Sequence, residues 1–245
     1  MGSLTALHLE ARAKIMKFDS WLHFKKTKYT RLLNVLICLF LAYSFVNTLL
    51  GQMVISVGFL VANLTVLETL YLSRKEIYFL RVIAVIAFSC SIINLFEFSQ
   101  FSIYISALGY LGYALFMILA ILVIQKRITA AKKVDQDIIR GSICIYLILG
   151  FLWGTSYLII WYLDATAFKG LDAGNAKQQL FYFSFTTLTT IGYGDISPVN
   201  PLAMTLANLE GIVGQLYPAI VIAKLVSLYA MADSAEVTEE KEREE

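Results

Sequence analysis

The sequence predicts an all-α membrane protein: six transmembrane helices plus a short re-entrant helix and the non-helical loop after it. Three observations carry this. Of 245 residues, 58% are hydrophobic and 16% are charged, with three prolines, a composition too apolar for a water-soluble domain of this size. Six apolar stretches are long enough to cross a hydrocarbon core of about 30 Å, which takes about 20 helical residues. Lysine and arginine gather in alternate connections between those stretches.

Residues 1–30 are an N-terminal lead. From Leu4 to Trp21 it mixes large apolar residues with Arg and Lys, which predicts an amphipathic helix in the headgroup region, a partly ordered tail being the alternative. No removable signal peptide is expected, since the first apolar run begins near Leu32 and is long enough to span. The first two spans, Leu32–Leu50 and Met53–Leu72, meet at an expected turn at Gly51-Gln52. The third, Ile77–Phe96, follows Ser73-Arg74-Lys75-Glu76. The fourth, Ile103–Ile124, follows Glu97-Phe98-Ser99-Gln100. Links this short imply antiparallel neighbours, so residues 31–125 are expected to form a compact four-helix bundle. A cytoplasmic linker helix is expected over 126–141. Spans five and six are Ser142–Leu163 and Leu202–Met231, within a unit covering 142–231. Residues 232–245 are an acidic tail, either a fraying extension of the last helix or disordered.

Orientation follows from the basic residues. Arg12, Lys14, Lys17, Lys25, Lys26, Lys28 and Arg31 precede the first span. Arg74 and Lys75 follow the second. Lys126, Arg127, Lys132, Lys133 and Arg140 lie between the fourth and fifth. The links after spans one and three have none, and the link after span five has only Lys169 and Lys177. Both termini are therefore expected in the cytoplasm, most simply at the plasma membrane. Net charge is only +2, and no nucleic-acid partner is expected; membrane lipids are. Cys38, Cys90 and Cys144 fall inside apolar runs, without metal or redox spacing, and read as small hydrophobes. His8 and His23 stand apart in the lead, so no nucleophile–base or metal-ligand cluster argues for an enzyme.

The stretch from Gln178 to Leu188 is apolar and aromatic but too short to span, the expected form of a re-entrant helix. The chain after it cannot stay helical, because Gly192 and Gly194 flank a single tyrosine. Non-helical backbone at membrane depth is tolerated only where it lines water or is buried in protein. The run Thr187-Leu-Thr-Thr190-Ile-Gly-Tyr-Gly-Asp195 resembles the signature of potassium channels, whose filter core reads TVGYG; Ile191 stands where valine is usual. The resemblance covers about Ser142 to Met231. The first four spans are similar only in number and topology.

The resemblance implies passive, potassium-selective conduction, with no organic cofactor. It implies K⁺ ions held by the carbonyls of Thr190, Ile191, Gly192 and Tyr193, with the Thr190 hydroxyl at the innermost site and Gly194 completing the filter. Glycine at alternate positions permits the positive φ that turns successive carbonyls to one side. Tyr182, Phe183 and Thr187, with Phe181 and Phe185, are expected to support the filter. Asp195 at its outer end either concentrates cations or hydrogen-bonds behind it. One loop cannot encircle an ion, so a homotetramer follows. A channel-like subunit that does not conduct is the alternative.

In the last span, Gly211, Gly214 and Pro218 are expected to form a gating hinge, close packing with a static kink being the alternative. Gln215 and Ile222 are candidates to face the cavity, and Lys224 to snorkel to the interface. Glu210 is ionisable within an apolar helix; a hydrogen bond to the base of the short helix and titration with pH are both open. No Lys or Arg occurs from Val82 to Gln125, so a charged fourth-helix voltage sensor is absent. Glu68, Arg81 and Glu97 offer little gating charge. Neither a nucleotide-binding glycine motif nor an EF-hand is present, which leaves the membrane, pH, the filter itself or an unidentified regulatory partner as the gating stimulus.

Overall fold

The computed structural model describes residues 28–69, 78, 81–82, 84–86, 88–89, 102–131 and 135–244. The amphipathic helix expected before residue 28 and most of the third span lie outside the described residues. So do His8, His23, Cys90 and Glu97, and the basic residues Arg12, Lys14, Lys17, Lys25, Lys26, Arg74, Lys75, Lys132 and Lys133.

Helix α1 covers Lys28–Ala42 and passes into a 3-10 turn at Tyr43–Phe45; α2 covers Leu49–Thr69. Helix α3 covers Ser102–Thr129 and α4 covers Gln136–Leu163. The short α5 covers Ala176–Leu188, and α6 runs from Pro201 to Glu244. Four described helices are long and apolar enough to cross a membrane, over Leu50–Leu67, Leu108–Thr129, Gln136–Leu163 and Pro201–Ala230; the apolar stretch Tyr29–Phe45 is shorter. The chain is thus a mostly helical, multi-pass membrane protein.

Several boundaries differ from expectation, each for a local reason. The corner between α1 and α2 falls at 46–48, ahead of Gly51-Gln52, because the Thr48 hydroxyl caps α2 by accepting from the Gly51 amide at 3.0 Å. Gly51 lies inside the first turn of α2, where a Cβ would meet the Phe45 carbonyl. The linker helix expected over 126–141 is not a separate element. Its start is the last turn of α3, where Lys126 and Arg127 complement the helix dipole. Its end is the first turns of α4, capped by Asp135, whose carboxylate accepts from Ile138 N at 2.8 Å. The last helix does not stop near Met231 but continues through the acidic residues to Glu244. An antiparallel ribbon of two short strands, β1 at Phe168–Lys169 and β2 at Ser197–Pro198, adds to the expected all-α fold.

Helix α4 is the centre of the packing. Helices α1, α3, α5 and α6 all pack against it. The buried core runs from Leu32, Leu36 and Leu39 of α1 through Phe59 and Val66 of α2. It continues through Phe116, Met117 and Ile124 of α3 to Ile145, Ile148 and Phe151 of α4. Apolar helices in lipid gain little from hydrophobic burial against each other, so close van der Waals approach must hold them. Glycine supplies it. Added Cβ atoms at Gly150 and Gly154 would lie 2.5 Å from the Phe185 ring and 2.8 Å from the Phe181 ring, so α4 presents a flat seat for α5.

Candidate functional site

Helix α5 sits on that seat with Leu180, Phe181, Phe183, Ser184, Thr186 and Leu188 buried. Phe183 meets Tyr157 and Phe168 edge-on, at 5.1 and 5.7 Å between ring centres. Phe181 packs against Phe151 at 6.0 Å, and Phe185 meets it at 5.5 Å. Phe181, Phe183 and Phe185 of the short helix thus pack on rings of α4. Tyr182 differs from them: it points away from α4 and stacks on Tyr193 at 6.1 Å and 6°.

The end of α5 is tied off tightly. Thr190 N donates to Thr187 O at 3.0 Å, while Ile191 N and Gly192 N both donate to Thr186 O, at 2.9 and 3.1 Å. The backbone amides thus turn back toward the helix. Among the described residues, no hydrogen-bond donor takes the carbonyls of Thr190, Ile191, Gly192 or Tyr193. All four residues are exposed, so these carbonyls are open to a ligand from outside the chain.

Backbone dihedrals alternate through the same residues. Thr190, Gly192 and Gly194 have φ of 60°, 53° and 80°, whereas Ile191 and Tyr193 between them have negative φ. The glycines suit this. Thr190 does not: a β-branched residue at positive φ stores strain on the order of 1–3 kcal/mol. Sequence reasoning missed this strain. The signal was there, since Thr190 stands two residues before Gly192 as Gly192 stands two before Gly194.

Asp195 follows. Its carboxylate accepts from Ile196 N at 3.1 Å and interacts with the Tyr182 hydroxyl. Its carbonyl lies against Gly170, where a Cβ would come within 2.0 Å. Gly170 has φ of 82°, and this close approach lets β1 pair with β2, anchoring the chain just beyond the loop. The anchor continues at Asp164, which caps the end of α4. It accepts from Thr166 Oγ1 and N at 2.6 and 3.0 Å and from Asn200 Nδ2 at 3.0 Å. The Thr166 hydroxyl first, then the Asn200 amide and the Thr166 amide, hold this carboxyl below the usual carboxylate range. A lowered folded-state pKa contributes stability above the unfolded value and loses it as pH falls through the folded one. Asp164→Asn should therefore lower the thermal midpoint at neutral pH, and the difference from the unmodified protein should shrink as pH falls below about 4.

Helix α6 closes the site from the other side. Asn200 caps it by accepting from Leu202 N at 2.9 Å, with Pro201 in the first turn. Glu210 is fully buried. Its Oε2 accepts from the Tyr157 hydroxyl at 2.6 Å, and its Oε1 lies 2.6 Å from Ser184 Oγ. Ser184 Oγ is also 2.8 Å from the Gly150 carbonyl. One carboxyl thus joins α4, α5 and α6. Gly214 packs against backbone: a Cβ there would lie 2.0 Å from Leu188 O. A Cβ on Gly211 would meet nothing within 4 Å. Pro218 sits inside an uninterrupted helix. Gln215 and Ile222 are exposed, and Lys224 is half-buried. Thr187 is half-buried, and its carbonyl takes the Thr190 amide.

The loop and α6 leave much apolar surface uncovered. Ile191 and Tyr193 are 57% and 69% exposed, and Leu209, Ile212, Leu216 and Ile220 are all about half exposed or more. Only 11% of the α6 span is buried, against 56% of α4. No group of three or more potential metal-ligating side chains occurs among the described residues.

Comparison with known proteins converges on the same part of the chain. Residues 143–230 match a family model described as an ion channel. A stretch of 76 residues is 36% identical to the inward rectifier potassium channel Kirbac3.1 of Paramagnetospirillum magnetotacticum, covering 31% of this chain and 24% of that protein. The chain thus spans about a quarter of the length of this curated relative. No solved structure matches it. Both likenesses are to ion channels and neither is to an enzyme.

Proposed function

We propose that the chain is one subunit of a potassium-selective channel, with Thr190 to Gly194 as its selectivity filter. The observation that carries this is the coincidence, in one stretch, of four unpartnered carbonyls with alternating backbone handedness. Alternation turns successive peptide planes the same way, so consecutive carbonyls face one axis, which a regular strand cannot do. Carbonyl oxygens so arranged replace the hydration shell of a K⁺ ion. The ion channel match over 143–230 and the partial likeness to a potassium channel support the reading.

One filter strand covers one quadrant around an ion, so the working unit is a homotetramer. The apolar surface exposed on the loop and on α6 is what such an assembly would cover. Six spans and cytoplasmic termini fit the basic-residue pattern, with the plasma membrane as the site of action. The outer end of the filter is then extracellular. Helix α5 points its C-terminal end toward the central cavity, where its partial negative charge favours cations.

The test is ion flux from purified protein in liposomes under separate K⁺ and Na⁺ gradients. K⁺ flux should exceed Na⁺ flux at least tenfold. Gly192→Ala should abolish the difference, because an L-residue at this φ costs about 1–2 kcal/mol per subunit. Equal K⁺ and Na⁺ flux from the intact protein would sink the selectivity claim, and a native mass other than four protomers would sink the assembly.

A further inference from the structure

The stretch from Val82 to Gln125 carries no Lys or Arg, yet the first helices are not remote from the filter. At the corner between α1 and α2, the Asn47 side-chain amide donates to Asn175 Oδ1 and to Gln178 Oε1, the latter at 2.9 Å. These partners are 128 and 131 residues away in sequence. Asn175 occupies the N-cap position of α5 but makes no capping bond with its side chain. Its oxygen is taken by Asn47, and its nitrogen donates to Asp172 Oδ2 at 2.6 Å. The start of α5 is therefore fixed by a distant element rather than by its own cap.

The contact continues as a ladder. Below Asn47, the Tyr43 ring lies on Phe181 at 3.8 Å. Below that, Phe40 meets Phe185 edge-on at 4.8 Å. Phe40 lies on α1, Tyr43 in its 3-10 turn and Asn47 in the corner just beyond; residues 178, 181 and 185 share one face of α5. As numbers fall along α1 they rise along α5, so the two segments run antiparallel over three rungs. The upper rung is polar and the lower two are aromatic. Phe40 and Tyr43 also form one wall of a cavity of about 460 Å³ whose other wall includes Ile191 and Tyr193.

We propose that α1 is a brace for the filter, with Asn47, Tyr43 and Phe40 as positioning residues that act through α5. The first helices then serve to hold the pore helix at a fixed distance from the axis instead of sensing voltage. This rests on the filter reading above. Carbonyls that replace a hydration shell discriminate between ions of different radius only while their spacing is held, and the spacing is set by what stands behind them. The polar rung is the specific part: hydrogen bonds fix the level of α5 along α1, which stacked rings alone leave free to slide.

The experiment is a double-mutant cycle on the full chain in liposomes. K⁺ and Na⁺ flux ratios and thermal midpoints are measured for the unmodified protein, Asn47→Ala, Gln178→Ala, the double variant, and Leu41→Ala. Leu41 is 61% exposed on the same helix and serves as the control. Gln178→Ala should lower the K⁺/Na⁺ ratio about fivefold, the worth of one hydrogen bond, and Asn47→Ala, which removes two, should lower it by more. The double variant should lower it no further than Asn47→Ala does, and Leu41→Ala should leave it unchanged. Asn47→Asp, which keeps the shape but removes the donors, should behave as Asn47→Ala does. Selective flux from the unmodified protein with an unaltered ratio in the Asn47 variants overturns the brace and leaves the filter reading intact. So does a fall in thermal midpoint without a change in ratio, or effects that simply add. Failure of both Asn47 variants to assemble also overturns it, since the corner would then direct folding and not position. Loss of selectivity in the unmodified protein itself would instead remove the filter reading beneath it.

Discussion

Glu210→Ala is expected to abolish conduction and to destabilise the protein by roughly 3–5 kcal/mol, whereas Glu210→Gln should be close to neutral. The alanine variant removes the partner of the Tyr157 hydroxyl and leaves a cavity at a fully buried position. An orphaned buried donor costs about 1–3 kcal/mol, and the cavity adds a similar amount. Ser184 is spared, because its hydroxyl has the Gly150 carbonyl at 2.8 Å as an alternative acceptor. Glutamine reproduces the pattern: its oxygen accepts from Tyr157, its nitrogen donates to Ser184, and Ser184 donates on to Gly150. The partners of Glu210 among the described residues are hydroxyls and not cations, so a neutral side chain fits without losing an ion pair. The hydroxyls facing it are Tyr157 of α4 and Ser184 of α5, with Tyr146 of α4 nearby. Thermal midpoints and K⁺ flux of the two variants, with Tyr157→Phe as the reciprocal change, check this. If glutamine proves as damaging as alanine, a charged carboxylate is required and the hydrogen-bond account fails.

Gly214→Ala should have the second large effect. The added methyl would come 2.0 Å from Leu188 O, 2.8 Å from Leu188 C and 3.0 Å from Leu188 Cα, all backbone atoms. No rotamer change relieves such a clash, so α6 must shift away from the end of α5. Leu188 O also accepts from the Tyr146 hydroxyl at 3.1 Å, and that bond stretches with the shift. Overpacking of this kind costs about 1–3 kcal/mol, here at the junction just before the filter, so K⁺ flux should fall at least tenfold. Gly211→Ala, with open space around it in the protomer, should have a clearly smaller effect on thermal midpoint. Equal effects at the two glycines would mean that contact with Leu188 is not what residue 214 is for. The sequence could not separate these two glycines, which stand three apart on one helix; only the position of Leu188 does.

Other differences have the same origin. The corner at 46–48 and the merged ends of α3 and α4 were misplaced by reading apolar runs alone, because Thr48 and Asp135 set the helix ends by side-chain caps that hydropathy does not register. The ribbon between β1 and β2 was missed because two-residue strands have no periodicity to detect; Gly170 and the approach of Asp195 create it. Asn47 fell inside the expected first span Leu32–Leu50 and drew no notice, since nothing in its neighbourhood along the chain points to Asn175 or Gln178.

The sequence by itself determined that this is a helical membrane protein with a short apolar helix and a glycine-alternating loop between two spans. Those properties depend on composition, length and the backbone freedom of Gly192 and Gly194, all of which are local. Tertiary structure alone decided that Glu210 joins three helices through two hydroxyls. It also decided that Gly214 is a packing position and that α1 reaches α5. These are contacts between segments tens to more than a hundred residues apart. A chain encodes them through the shape of a packed whole, which no window of neighbouring residues contains.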